Sequence, residues 1–186
     1  MNKSKLIKRI GVAGLVKISI VATIYIVVTL VFGEISYGPI QARPSEILNF
    51  LAFIDPMYII ALVIGCAISN FYSFGIIDVF VGSFATLIST YLMYKSKNML
   101  VASLWPIMNC VFVAAELYIL FGLPFWFNLI TIAIGEFVIM TIVGLPIFKQ
   151  VFKNKRFVES VRIDKENQTY KEKLSHLWIK KDIETI

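Results

Sequence analysis

The sequence predicts an all-α integral membrane protein, a bundle of six helices with a short second one and both termini cytoplasmic. Three observations carry this. Of 186 residues, 58% are hydrophobic and only 16% charged, against about 25% charged in a typical soluble domain; the mean hydropathy is +0.79. Apolar runs near the ~20 residues needed to cross the hydrocarbon recur along the chain. Of the 18 Lys and Arg residues, all but Arg43 gather towards the two ends and at one internal break.

The same composition excludes other classes. Cys66 and Cys110 lie inside apolar runs, so no disulfide framework is expected. His176 stands alone in the polar C-terminal segment, and no metal or cofactor is expected. No Gly-x-x-x-x-Gly-Lys-Ser/Thr loop is present, so the chain has no ATP site of that kind. No nucleophile–base pair or metal cluster converges in the spans, which argues against an enzyme. A nucleic-acid partner is not expected either.

In chain order, residues 1–9 form a basic cytoplasmic leader carrying Lys3, Lys5, Lys8 and Arg9. Ile10–Phe32 is the first span, with Lys17 near enough to the interface to snorkel. The first run is too long for a signal-peptide core and lacks a cleavage site. Residues 33–46 then read Gly-Glu-Ile-Ser-Tyr-Gly-Pro-Ile-Gln-Ala-Arg-Pro-Ser-Glu. Gly38-Pro39 cannot continue a helix, since proline lacks the N–H donor. Pro44 pushes Arg43 towards an extended conformation, and Ser45-Glu46 reads as a helix start. Ser45–Ile54 is apolar but only about ten residues, too short to cross unaided. After Asp55-Pro56, Met57–Tyr72, Ile76–Tyr94, Met99–Phe121 and Phe125–Phe148 read as spans. Residues 10–150 therefore form the membrane domain, and 151–186 a polar cytoplasmic tail.

The segment at 45–54 decides the topology. Counted as a shortened helix crossing obliquely, it gives six crossings. Both termini and the Lys95/Lys97 break then face the cytoplasm, as the positive-inside rule wants. Every Lys and Arg except Arg43 lies on that side. The 33–46 stretch and the turns near Ser73 and Gly122 lie outside.

Polar groups within the spans carry the chemistry. Six acids (Glu34, Glu46, Asp55, Asp78, Glu116, Glu136) face three bases (Arg43, Lys95, Lys97) between residues 18 and 148. Ionisable groups in spans usually face a cavity or a partner. Trp105, Asn109 and Glu116 recur at spacings of four and seven, one stripe of a helix. Asn128 and Glu136 share a side of the last span, and Asn70 and Asp78 flank an outer turn. Gln41, Arg43 and Glu46 add three kinds of hydrogen-bonding group in the loop. Arg43 is expected to pair with Glu46 or Glu34.

Gly38-Pro-Ile-Gln-Ala-Arg-Pro-Ser-Glu46, Gly65-Cys-Ala-Ile-Ser-Asn70 and Asp78-Val-Phe-Val-Gly-Ser-Phe-Ala-Thr-Leu87 resemble the QueT-type queuosine-precursor transporter family. These are substrate-binding S components of energy-coupling factor (ECF) transporters. The resemblance covers roughly residues 10–150. It departs at Pro44, where the family more commonly has a branched apolar residue. It implies a multi-pass protein of the bacterial plasma membrane that captures substrate at the outer face. It implies as partners a transmembrane coupling protein, EcfT, and two cytosolic ATPases, with delivery by toppling of the S component. Small residues on the first helix dock such proteins to the coupling protein; here the matching positions are Ser19, Ala22 and Thr23.

The ligand so implied is a 7-deazaguanine, namely a 7-cyano or 7-aminomethyl precursor or queuine. Its guanine edge presents paired donors beside a carbonyl, so a carboxylate can accept while Asn or Gln donates. Glu116 is expected to accept those donors, with Asn109 below it and Gln41 in the covering loop. Arg43, Glu46, Asn70, Asp78, Asn128 and Glu136 complete the expected site, and Trp105, Tyr72 and Trp126 are stacking candidates. An S component for another vitamin is the alternative; a membrane enzyme is a more distant one.

Overall fold

The computed structural model describes residues 3–38, 40–73 and 75–183. Asn2 and Phe74, which the topology assigns to opposite sides, lie outside the described residues. Every regular element is helical among those described. In order they are α1 (Lys3–Val31), α2 (Gly33–Ser36), a 3-10 turn (Pro44–Asn49) running into α3 (Phe50–Ile54), α4 (Tyr58–Phe71), α5 (Ile76–Lys95), α6 (Met99–Leu104), a second 3-10 turn (Trp105–Met108), α7 (Asn109–Phe121), α8 (Phe125–Phe137), a π-helical stretch (Val138–Gly144), α9 (Leu145–Phe152), α10 (Lys155–Val161) and α11 (Thr169–Ile183).

Four stretches are long and apolar enough to cross a membrane: Ile10–Val31, Ile76–Lys95, Met99–Phe121 and Phe125–Phe152. Pro44–Ile54 and Tyr58–Phe71 are shorter apolar helices. Helices keep backbone groups satisfied where no water can do so. Prolines explain the irregular turns within two long stretches. Pro106 cannot donate to Ala102, and the chain tightens into a 3-10 turn at Trp105–Met108. Pro146 follows the wide π turn at Val138–Gly144, which ends where a normal hydrogen-bond ladder would need its missing N–H.

The expected short second helix lies at the centre of the packing. Phe50, Leu51, Ala52, Phe53 and Ile54 are all buried, against Tyr25 of α1, Leu62 of α4 and Phe148 of α9. Phe50 and Phe148 stack at 5.2 Å between ring centroids. As the short segment is encased by longer helices, its few residues need not present a lipid-facing surface of full length. In lipid such packing contacts, not exclusion of water, hold the helices together.

The C-terminal segment folds back on the bundle. Its apolar spacing (Tyr170, Leu174, Leu177, Trp178) is helical, and Tyr170 and Leu174 are fully buried. Polar anchors fix it. Asp55 accepts from Ile163 N at 2.6 Å and Asp164 N at 2.8 Å. Lys17 donates to the carbonyls of Ser160 and Arg162, and Tyr58 Oη to that of Val161. Lys173 donates to the carbonyls of Phe53 and Tyr94. Arg162 lies 3.9 Å from the Tyr170 ring centroid.

Candidate functional site

At the opposite end from Asp55, the loop after α2 drops into the bundle. Arg43 is extended (φ −93°, ψ 102°), as the following proline requires. Its side chain therefore reaches across to α4. Nη1 donates to Asn70 Oδ1 at 2.7 Å and Nε to the Ser36 carbonyl at 3.3 Å. Arg43 thus bonds neither Glu46 nor Glu34, the expected pair. Glu46 is held instead by Tyr25 Oη and Asn49 Nδ2, while Glu34 is exposed.

Asn70 joins three elements. Besides accepting from Arg43, its amide donates to the Asp78 carbonyl at 3.1 Å and to Cys66 Sγ at 3.4 Å. This approach needs a glycine opposite: a Cβ at Gly82 would run into the Asn70 amide nitrogen. A second glycine seats the loop. A Cβ at Gly135 on α8 would strike the Ile40 carbonyl and lie 3.3 Å from the Ala42 nitrogen. Between these two residues Gln41 takes a left-handed φ of 45°, rare for a side chain of its kind, and is buried.

These contacts enclose a small cavity of about 20 Å³, room for roughly one water. Gln41, Arg43, Glu46, Asn70, Asp78, Asn109 and Glu136 line it, with Cys66, Gly82 and Thr86 among the rest. Three carboxyl side chains therefore surround one guanidinium. Glu136 Oε2 is buried and accepts from no donor among the described residues. Thr86 donates to Cys66 Sγ at 3.2 Å.

The other expected site residues lie elsewhere. Glu116 is buried one turn beyond Val113 and does not line the cavity. Neither of its oxygens accepts from an N–H donor among the described residues. The Asp78 carboxyl is its polar neighbour, and two carboxyls bond each other only when one holds a proton. Asn128 is buried but donates to Pro124 O, within its own first turn. Trp105 bonds Ser96 Oγ at 2.8 Å, at the far end of the bundle. Tyr72 and Trp126 are largely exposed, and no aromatic ring lines the cavity among the described residues.

Sequence reasoning missed Cys66, Tyr25 and the two glycines. Cys66 precedes Asn70 by four residues, which puts both on one helix face; Tyr25 and Thr29 repeat that spacing on α1. Of the small-residue positions on α1, Ser19 and Thr23 are exposed, whereas Ala22 is buried against the bundle.

A family model described as QueT transporter matches residues 15–153. Over 76 residues the chain is 55% identical to a queuosine precursor transporter QueT of Lactococcus lactis subsp. cremoris, covering 40% of this chain and 45% of that relative. The chain thus aligns with less than half the length of this curated relative. No solved structure matches the chain.

Proposed function

From the premise that the chain belongs to the QueT transporter family, we propose that it is the substrate-binding S component of an ECF-type importer. It captures a queuosine precursor or queuine at the outer face of the bacterial plasma membrane. The observation that carries this is the buried polar cavity at the Arg43 end. Three carboxyls and two side-chain amides of Asn70 and Asn109 converge there, with Gln41 above them. The Glu136 oxygen without a donor suits a ligand edge that brings N–H groups.

A cavity near 20 Å³ is far smaller than the ~300 Å³ or more of small-molecule pockets. Entry of a bicyclic base therefore requires Ile40, Gln41 and Ala42 to lift from Gly135. The chain crosses the membrane six times, with Pro44–Ile54 as the short second crossing and both termini inside. The lysine and arginine distribution supports that orientation. The transmembrane coupling protein docks on the α1 face bearing Ser19 and Thr23, and two cytosolic ATPases supply the energy.

Purifying the full chain from cells and identifying the co-purified small molecule by mass spectrometry tests the reading. A 7-deazaguanine is expected. Recovery of another vitamin would retain the S-component assignment and remove the deazaguanine.

A further inference from the structure

The end of the bundle that carries Asp55 has a larger groove, of about 240 Å³, between the end of α5 and the start of α11. Tyr94, Lys95, Lys97, Thr169, Glu172 and Lys173 line it, three cations against one acid. Two of those cations crowd one ring. Lys173 Nζ lies 4.6 Å and Lys95 Nζ 5.9 Å from the Tyr94 ring centroid. Lys173 is buried and uses two of its three donors on the Phe53 and Tyr94 carbonyls, so one is left over among the described residues. Tyr94 Oη accepts from Asn167 Nδ2 at 3.1 Å and keeps its own proton to donate. Burial and the neighbouring Lys95 lower the Lys173 ammonium to about 8. Like charges held this close invite an anion between them.

At Lys95, which lies 5.5 Å from the Tyr91 ring centroid, the groove adjoins an exposed apolar face of α5. Phe80, Phe84, Leu87 and Tyr91 form an exposed stripe on α5, at spacings of three and four, that ends in Lys95. A molecule with its anionic group in the groove can lay apolar chains along that stripe.

We propose that the groove between α5 and α11 binds the phosphate of an anionic phospholipid of the inner leaflet. Lys95, Lys97 and Lys173 provide the charge, Tyr94 and Thr169 provide hydroxyl donors, and the stripe provides the acyl contact. Basic pockets of this kind at the cytoplasmic boundary suit anionic headgroups. The inference rests on the membrane orientation proposed above but not on the identity of the transported molecule.

The test uses the full chain in detergent, with bound lipid read by native mass spectrometry. Phosphatidylglycerol is expected to be retained at least about fivefold over phosphatidylcholine. Lys95→Gln and Lys97→Gln should each reduce that preference about fivefold, the effect of roughly one juxtamembrane charge. Lys153→Gln, an exposed lysine of the same end outside the groove, should leave it unchanged. Equal loss in Lys153→Gln, or no loss in the groove variants, overturns the site. Millimolar inorganic phosphate that displaces the lipid completely would identify a free-phosphate site and overturn the lipid assignment. Ligand binding at the Arg43 end serves as an independent readout, expected to be unaffected in all three variants.

Discussion

Asp55 and Glu136 are both buried carboxylates flanked by apolar sequence, and their surroundings differ. Asp55 accepts from the backbone N–H groups of Met57, Ile163 and Asp164. Its neighbours at that end behave alike, for Lys17 and Lys173 donate to main-chain carbonyls and Arg162 to those of Asp164 and Asn167. At the other end Glu136 Oε2 receives no donor among the described residues, and Glu116 has another carboxyl, that of Asp78, as its polar neighbour. A buried charge bonded to its own backbone is structural. One left without a donor is costly to hold and suits a partner that arrives from outside.

Removing Asp55 should have the largest effect on the fold. Asp55→Ala leaves two buried N–H groups of the C-terminal segment without their acceptor. Charged hydrogen bonds contribute about 1.5–3 kcal/mol each, so a loss of about 3 kcal/mol or more is expected in thermal unfolding. Proteolysis after about residue 161 should accelerate, with ligand affinity unchanged in the folded fraction. Lost affinity in well-folded Asp55→Ala would erase the distinction between the two ends.

Glu136→Gln tests the other end, and Glu116→Gln tests the residue that sequence favoured. Each exchanges an acceptor for a donor facing ligand donors. Binding should weaken at least about tenfold, equivalent to 1.4 kcal/mol, while the melting temperature holds or rises because a buried carboxyl poorly supplied with donors gives way to a neutral amide. Titration calorimetry ranks the two carboxyls. Wild-type affinity in both variants would move recognition away from them.

Gly135→Ala asks whether the loop seat matters. Backbone at residues 40–42 must shift to accept the methyl group, at about 1–3 kcal/mol for overpacking. Ligand dissociation followed by stopped flow should be about fivefold faster. An unchanged rate would detach this contact from binding.

The smallest effect concerns pH. Lys173 sits at about 8 against an ordinary 10.5, through burial and Lys95, partly offset by Glu172. Below pH 8 folded and unfolded chains both carry the ammonium, and the folded state bears the whole burial penalty. Between about 8 and 10.5 the folded chain releases the proton first, so stability rises with pH. Wild type should show this rise relative to Lys173→Met in unfolding measured across that window; parallel curves would refute it.

Helix positions were largely legible, because apolar runs and prolines act locally. Ile76–Tyr94 and Met57–Tyr72 were placed within a residue of α5 and α4. The extended Arg43 followed from Pro44 alone. Its bond to Asn70 did not, since only the assembled bundle brings the two together. Trp105 failed to join Asn109 at the cavity because helical angle says nothing of depth: the same stripe that holds Asn109 at the cavity puts Trp105 beside Ser96. The C-terminal segment read as merely polar because its apolar stripe is narrow, and charges that bond backbone look in sequence like charges that meet water.

The pairing of Asp55 with Ile163 spans 108 positions of chain. A ribosome adding roughly 5–20 residues per second needs about 5–20 seconds to deliver the second partner. Throughout that interval the Asp55 carboxylate has only its local N–H contact to Met57. Closure of this end must therefore follow synthesis of α1 to α10, and water or a chaperone has to solvate Asp55 in the meantime.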